Sequence, residues 1–270
     1  MTTSAVPRFV ESRDGTPIAV FASGSGRPLL LVHGTAGDHT TFRVVGPRLA
    51  DTFAIRAIDR RGRGASGDTL PYSIEREFED VAVIAERLAA EGGGPVAVFG
   101  HSYGGRCALG AALLTDAVDR VICYEGAPAP PDRSYHPAGF DERLNQRLEE
   151  AGPAGLLETF MAEIVGMTPA ELDAYRVNPV WPDRVAAAGT IPRELEAEMT
   201  PKASLDALGF VRQPVLQILG SASLPVFREA TVGLDSRLAD GRIVEIDGAK
   251  HAAHHTHPEA VVAAVRAFLV

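Results

Sequence analysis

The sequence predicts an α/β fold whose mainly parallel sheet is interrupted by a helical insertion. Short apolar runs alternate with amphipathic segments over residues 1–126 and again over residues 211–270. Residues 127–210, between these two regions, carry helical patterns and no predicted strand. A tract of that length exceeds an ordinary loop. We therefore expect an α/β core formed by residues 1–126 and 211–270, and a helical cap formed by residues 127–210.

The first part of the core is predicted to open with a β-hairpin. Arg8–Ser12 and Pro17–Phe21 flank Asp14-Gly15, a pair that tolerates positive φ in a tight turn. The runs that follow are apolar on both faces, as in strands covered by helices on each side. They predict strands at Leu29–Val32, Ala54–Ile58, Val96–Phe99 and Val121–Tyr124. Between these strands, Ile74–Ala90 has one apolar face and is predicted to form a helix.

The alternation resumes after the insertion. The sequence there predicts the strand Val215–Leu219, a helix around Phe227–Leu238, the strand Arg242–Ile246 and a final helix from Pro258. Inside the insertion, Thr168-Pro169-Ala170-Glu171 has the pattern of a helix start. It combines a threonine N-cap, a proline at the first helical position and a glutamate that completes a capping box.

Composition narrows the classes of function. Asp and Glu total 35 against 26 Lys and Arg, the net charge is −9 and no basic run is present, so we expect no nucleic-acid partner. No apolar stretch approaches the roughly 20 residues that span a bilayer, and we expect no membrane partner. The start of the chain shows no signal-peptide pattern, and Cys107 and Cys123 both lie in apolar surroundings. These features predict a cytoplasmic protein with reduced thiols, and they are compatible with a homodimer.

A candidate nucleophile lies in Gly100-His101-Ser102-Tyr103-Gly104, directly after a predicted strand and before a predicted helix. A sharp turn between strand and helix lifts a serine hydroxyl clear of the sheet, and glycines tolerate the crowding around it. The following helix offers free N–H groups where an oxyanion would develop. His33-Gly34-Thr35-Ala36-Gly37 follows another strand, and its Thr35 or Gly34 could supply a second N–H group.

Two other patterns suggest different chemistry. Gly62-Arg-Gly64-Ala-Ser-Gly67 matches the dinucleotide fingerprint, but no helix opens directly after it, so we expect no cofactor. Four histidines crowd the segment before the last helix, which makes a zinc site the alternative there. That segment offers no cysteine and no obvious inward carboxylate, so we expect one histidine to act as a general base and no metal to bind. The four are His251, His254, His255 and His257.

Together the motifs resemble the α/β-hydrolase superfamily over essentially the whole chain. In family order the sequence has His33-Gly34, Asp59-Arg-Arg-Gly62-Arg-Gly64-Ala-Ser66, the Gly100–Gly104 turn and Gly248-Ala-Lys-His251. The resemblance implies an eight-stranded, mostly parallel sheet with helices on both faces and a helical cap. It also implies Ser102 as nucleophile and His251 as general base. The N–H groups of Tyr103 and Thr35, or Gly34, would form the oxyanion hole.

The third member of the triad departs from the commonest family pattern. The family often places its acid after the strand Val215–Leu219, where this sequence has Gly220-Ser221-Ala222-Ser223-Leu224-Pro225 and no carboxylate. Some members place the acid one strand earlier, where this chain has Glu125. The arrangement resembles fungal zearalenone lactonases, which use a Ser–Glu–His triad and share Pro-Val-Trp in the cap, here Pro179-Val180-Trp181. We expect Glu125 to be the acid, with Asp247 as the competitor.

These assignments predict a cofactor-independent serine hydrolase that cleaves a small-molecule carboxylic ester or lactone through an acyl-enzyme on Ser102. Haloalkane dehalogenases and epoxide hydrolases of this fold need a carboxylate nucleophile, and they rank lower because the turn holds Ser102 instead. A carbon–carbon bond hydrolase or lyase on the same fold remains an alternative, as does a non-catalytic, receptor-like binding protein.

The cap is expected to determine which substrate is accepted, because it covers the serine. Its apolar residues could line a pocket or could instead pack the cap itself. They are Leu156, Leu157, Phe160, Met161, Ile164, Met167 and Trp181. Trp181, the only tryptophan of the chain, is the predicted substrate contact.

Overall fold

The computed structural model describes residues 6–270. Residues 1–5, where the sequence shows no signal-peptide pattern, lie outside the described residues. In the described part of the chain, strands β1 to β8 form one sheet in the order β1-β2-β4-β3-β5-β6-β7-β8. The strands are β1 (Arg8–Glu11), β2 (Pro17–Ser23), β3 (Arg27–Val32), β4 (Phe53–Ile58), β5 (Val96–His101), β6 (Val118–Tyr124), β7 (Val215–Gly220) and β8 (Gly241–Ile246).

The sheet is parallel from β4 to β8 and antiparallel at its first edge. β1 pairs antiparallel with β2, and β2 pairs antiparallel with β4. The pairs β3–β4, β3–β5, β5–β6, β6–β7 and β7–β8 are all parallel. The predicted fold class is therefore confirmed, and the predicted strand limits differ from the observed ones by only a few residues.

Helices cover both faces of the sheet. They are α1 (Val45–Leu49), α2 (Ile74–Leu88), α3 (Tyr103–Ala112), α4 (Phe140–Glu163), α5 (Pro169–Arg176), α6 (Trp181–Ala187), α7 (Ile191–Ala197), α8 (Leu205–Leu208), α9 (Pro225–Asp235), α10 (Ala253–Thr256) and α11 (Pro258–Leu269). Strand β3 shows the two layers clearly. Leu30 and Val32 pack into the cluster that includes α2 and α3, whereas Leu29 and Leu31 pack into the cluster that includes α1 and α11.

The chain between β6 and β7 is helical in the described residues, with α4 to α8 and short 3₁₀ turns. Helix α4 is kinked at Gly152, whose φ of 64° is left-handed and is followed by Pro153. Helix α5 starts at the predicted capping box of Thr168 and Glu171. An apolar cluster of its own fills the space between these helices and includes Phe140, Leu156, Leu157 and Ile191. The exact limits of a separate cap domain, residues 127–210, stay a prediction.

Three groups of ion pairs connect these helices to the sheet region. Glu194 of α7 is fully buried and pairs with both Arg60 and Arg63, which follow β4. Arg184 of α6 lies 2.8 Å from Asp38. Glu198, just after α7, pairs with Arg106 of α3. Because buried charges need partners, these pairs hold the inserted helices in one position over the sheet.

Both cysteines are free and buried. Burial raises the pKa of the Cys107 thiol well above its ordinary value and that of Cys123 to about 12. The two side chains therefore carry no reactive thiolate near neutral pH. Among the described residues, no helix combines the length and the apolar character that crossing a bilayer would require.

Candidate active site

Ser102 stands at a strained turn between β5 and α3. Its φ of 55° and ψ of −127° are unusual for a residue with a side chain, and they aim the serine away from the sheet. The turn is tightly packed, since a Cβ atom on Gly104 would lie 2.2 Å from the carbonyl oxygen of Val32. The Ser102 N–H group donates to the carbonyl of Tyr124 at 2.8 Å, which fixes the turn against β6.

Backbone N–H groups border Ser102 from two directions. Tyr103 opens α3, so its N–H group is among those that lack a partner within the helix. Gly34 approaches the serine so closely that a Cβ atom there would lie 2.9 Å from Cβ of Ser102. Within the described residues, neither Thr35 nor Gly34 donates its N–H group to another atom of the chain. These groups are free to bind an oxyanion beside the serine.

The loop that carries Gly34 is held by His33. The ring of His33 donates from Nδ1 to the carbonyl of Gly34 at 2.8 Å and accepts at Nε2 from the N–H group of Arg60 at 2.9 Å. Burial, with the charge of Arg60, lowers the pKa of His33 well below its ordinary value. The ring is therefore neutral and can make both bonds at once.

Glu125 and His251 form a direct hydrogen bond. Nδ1 of His251 donates to Oε2 of Glu125 at 2.6 Å, and Glu125 is only 3% exposed. The other carboxylate oxygen, Oε1, accepts from the N–H group of Gly220 at 2.7 Å and from Oγ of Ser223 at 2.6 Å. The end of β7 and the loop after it thus orient the carboxylate that follows β6.

Asp247, the competing acid, lies elsewhere. It is exposed and accepts a hydrogen bond from Oγ of Ser221 at 3.3 Å. Among the described residues it makes no hydrogen bond with His251. Glu125 and not Asp247 therefore contacts the ring of His251, while the catalytic role of Glu125 stays a prediction.

The segment around His251 is fixed by aromatic side chains. His101 donates from Nε2 to the carbonyl of His251 at 2.8 Å, and Tyr124 donates its hydroxyl to the carbonyl of Lys250 at 2.5 Å. The ring of Phe227 stacks on His251 with centroids 4.5 Å apart. Together these contacts hold the imidazole on the carboxyl side of the sheet, near the serine.

Ser102 and His251 line the same cavity, which has a volume of about 290 Å³. In the described part of the chain, the two side chains are not hydrogen-bonded to each other. Catalytic hydrogen bonds often tighten only in the complex with substrate, so this geometry is compatible with proton transfer between them. A smaller cavity of about 40 Å³ adjoins the serine and is lined by Ser102, Tyr103, Glu125, Leu195 and His251, among others.

The cap contributes apolar side chains to the larger cavity, but Trp181, the predicted substrate contact, does not line it. Phe160, Met161 and Met167 line the cavity as expected. Trp181 is not among the lining residues; its ring packs edge-on against Tyr175, with centroids 5.4 Å apart. Tyr175 lines the cavity instead. The start of α6 directs the indole into the packing of the cap.

Polar residues that the sequence did not predict for the site also line the larger cavity. Arg43, Glu171, Asn178 and Arg184 are among them. Arg43 follows the short 3₁₀ turn after the Gly34 loop, and that position is the only sequence signal that could have drawn attention to it.

The two alternative patterns form other structures. The Gly62–Gly67 segment closes on itself, because the N–H group of Gly62 donates to the carbonyl of Gly67, and the next helix begins only at Ile74. Among residues 6–270, no group of three histidine, cysteine or carboxylate side chains is arranged to hold a metal ion. His254 is buried against His101 and Phe42 rather than grouped with ligands.

Comparison with known proteins identifies the family. The model of the alpha/beta hydrolase family matches residues 29–264, and the chain therefore belongs to this family. A solved structure of an alpha/beta hydrolase from Sphaerobacter thermophilus superposes with a TM-score of 0.81 and 32% identity, covering 97% of this chain and 100% of that one.

Two curated relatives extend over almost the same length. A 2-(acetamidomethylene)succinate hydrolase from Mesorhizobium japonicum is 26% identical over 254 residues, covering 91% of this chain and 89% of that protein. A pimeloyl-[acyl-carrier protein] methyl ester esterase from Edwardsiella ictaluri is 27% identical over 263 residues, with 91% and 94% covered.

Proposed function

We propose that this protein is a serine hydrolase that cleaves a carboxylic ester or lactone through an acyl-enzyme on Ser102. The observation that carries the proposal is the 2.6 Å hydrogen bond between Glu125 and Nδ1 of His251 beside the strained serine turn. A carboxylate at Nδ1 fixes the proton there and leaves Nε2 as the basic nitrogen. This is the tautomer that a general base for a serine hydroxyl requires.

Acylation begins with proton transfer from Oγ of Ser102 to Nε2 of His251. Oγ forms a bond to the carbonyl carbon of the substrate, and the carbonyl oxygen becomes an oxyanion. The N–H groups of Tyr103 and of Thr35 or Gly34 stabilise that charge. Glu125 stabilises the imidazolium that forms. His251 then gives the proton to the leaving oxygen as the bond from carbon to that oxygen breaks.

Deacylation repeats these steps with water. His251 removes a proton from a water molecule, whose oxygen attacks the acyl carbon, and the bond to Oγ of Ser102 then breaks as the serine regains its proton. No redox step or bound group is needed. The esterase from Edwardsiella ictaluri, which is similar over almost the whole chain, supports ester chemistry for this site.

The first test is covalent labelling of the serine. A fluorophosphonate probe should add one label at Ser102, detectable by mass spectrometry, and Ser102→Ala should abolish it. The same substitution should lower kcat for 4-nitrophenyl butyrate by about 10⁶-fold, because the whole triad acts through this hydroxyl. Ser66→Ala is the matched control. Because Ser66 lies outside both cavities, this variant should be labelled to the same extent as the unmodified protein.

Three results would each end the proposal. Near-normal turnover by Ser102→Ala would exclude an acyl-enzyme on this residue. Stoichiometric release of nitrophenol without turnover by the unmodified protein would favour a binding protein on this fold. Loss of activity in EDTA, restored by zinc, would point instead to a metal-dependent hydrolase.

A further inference from the structure

Arg43 brings a positive charge to the larger cavity without an acidic partner. It lines the same cavity as Ser102 and His251. Its Nη1 atom donates to the carbonyl of Thr40 at 3.3 Å and lies 3.5 Å from Nε2 of His255. Among the described residues, no carboxylate lies within ion-pair distance of its guanidinium. Arg43 is exposed, so most of its five N–H donors face solvent or an acceptor that enters the cavity.

The other charged residues of this cavity already have partners. Arg184 lies 2.8 Å from Asp38, and Glu171 lies 2.8 Å from Lys250. Burial and the neighbouring charge of Arg184 lower the pKa of Arg43, while Tyr175 and Asp38 act in the opposite direction. Because Arg184 and Glu171 are each paired with an opposite charge, the net charge of the cavity is positive and comes from Arg43.

His255 adds a second donor beside Arg43. Burial, together with the charges of Arg43 and Arg184, lowers the pKa of His255 to about 4, so its ring is neutral near pH 7. Its Nε2 atom faces the donor of Arg43, which places the ring proton on Nδ1. Nδ1 is buried and has no hydrogen-bond partner in the described part of the chain. A buried donor of this kind needs an acceptor.

We propose that the substrate carries a carboxylate that binds Arg43, so that the protein acts on esters with an anionic end. The inference rests on the proposed function and specifies its substrate class. A planar carboxylate matches the guanidinium fork, and its single negative charge matches the single unpaired arginine. Phe160, Met161 and Met167 line the same cavity and would contact an apolar spacer between the carboxylate and the ester.

The test compares two esters that differ only at the far end of the acyl chain. Monomethyl adipate carries a carboxylate, whereas methyl hexanoate carries none. Arg43→Gln should lower the ratio of their kcat/KM values, anionic over neutral, by about ten-fold, and Arg43→Lys should retain part of it. Raising the ionic strength should lower the ratio in the unmodified protein.

Arg48→Gln is the matched control. Arg48 lies on α1, is exposed, pairs with Glu259 and does not line the cavity. Its substitution removes the same charge from the same region, and the ratio should not change. An equal ratio in the unmodified protein and in Arg43→Gln would overturn the proposal, as would an equal fall in Arg48→Gln.

Failure of the proposed function would give a different result. If neither ester is hydrolysed, the serine-hydrolase proposal fails, and calorimetry with the same two esters then tests the inference alone. The anionic ester should bind the unmodified protein about ten-fold more tightly than the neutral ester, and Arg43→Gln should remove the difference. Equal binding of the two esters to the unmodified protein would overturn the inference.

Discussion

At the scale of single residues, the most informative feature is the acid after β6. Glu125 has a φ of 45°, an unusual value for a residue with a side chain. Hydrogen bonds to both carboxylate oxygens hold Glu125 in this conformation. One oxygen accepts from His251, and the other accepts from Gly220 and Ser223. Strain that is held in place by surrounding contacts commonly marks a functional residue.

Glu125→Gln should therefore lower kcat by about 10²–10⁴-fold, because an amide cannot stabilise the imidazolium and can favour the wrong tautomer of His251. The measurement is ester hydrolysis under saturating substrate. Asp247→Asn is the control, since Asp247 is exposed and makes no hydrogen bond with His251 among the described residues. Comparable losses in the two variants would show that Glu125 is not the acid.

The sequence predicts where Ser102, Glu125 and His251 lie in the fold, but it does not predict which other side chains line the cavity. Ser102, Glu125 and His251 each follow a strand of the sheet, and the carboxyl ends of parallel strands meet at one edge. The order of the strands in the sheet therefore brings these three residues close together. Trp181 and Arg43 lie outside the strands, where packing among short helices decides whether a side chain lines the cavity. No local pattern determines that choice.

At the scale of elements, the attachment of the inserted helices depends on buried charges. Glu194 of α7 has 0% exposure and serves both Arg60 and Arg63, while Glu77 of α2 also pairs with Arg60 at 2.7 Å. Burial disfavours the charge of Glu77, but Arg60 and Arg63 hold the pKa of its carboxyl below the ordinary value. Removing one carboxylate from this group leaves excess positive charge in the interior.

Glu194→Gln should consequently lower the free energy of unfolding by about 3–5 kcal/mol, the cost of leaving a buried charge without its partner. Urea denaturation followed by circular dichroism measures it. Glu196→Gln, an exposed position on the same helix, should change the value by less than about 0.5 kcal/mol. If both variants unfold alike, the buried pairs do not hold α7 to the sheet.

Buried histidines predict how stability depends on pH. Burial lowers the pKa of His33, His101 and His254 well below the ordinary value of 6.5. The unfolded chain binds protons there that the folded protein does not, so stability is complete above pH 6.5 and falls as the pH decreases below it. From pH 7.5 to 5.5 the loss should reach up to about 4 kcal/mol.

Urea unfolding at the two pH values tests this dependence. His254→Gln removes one of the three groups and should reduce the loss by about one third, whatever its effect on stability at pH 7.5. A stability that is constant over this range would contradict the assignment of neutral, buried rings.

The regular elements were predictable because their signals are local. Apolar runs marked the strands, and Thr168 with Glu171 marked the start of α5. The kink of α4 at Gly152 and the pairing of Glu194 with arginines after β4 were not predicted. The pairing of Glu194 joins residues more than a hundred positions apart, and periodicity within a segment contains no information about it.

At the scale of the whole molecule, the serine lies between two cavities of unequal size. Their volumes are about 290 and 40 Å³, and both are lined by Thr35, Ser102, Phe160, Val165 and His251. The smaller space admits a much shorter group than the larger one does. The acyl side and the alcohol side of the ester should therefore be limited to groups of different length.

We expect an ester with one long and one very short side to be hydrolysed well, and an ester with two long sides to be hydrolysed poorly. The comparison uses methyl hexanoate, hexyl acetate and hexyl hexanoate. At least one of the first two should exceed hexyl hexanoate in kcat/KM by about 10²-fold, because overpacking of the smaller cavity costs a few kcal/mol. Equal rates for all three esters would contradict the two-cavity description.

Because both cysteines are buried, the protein is well suited to labelling with a fluorescent dye at one introduced cysteine. Cys107 and Cys123 are the only thiols of the sequence, and neither is accessible or ionised near neutral pH. A maleimide dye would therefore react at a single engineered site. Met199, which follows α7 and is 71% exposed, offers such a site as Met199→Cys. Fluorescence from that position would report in real time whether the helices above Ser102 move during turnover.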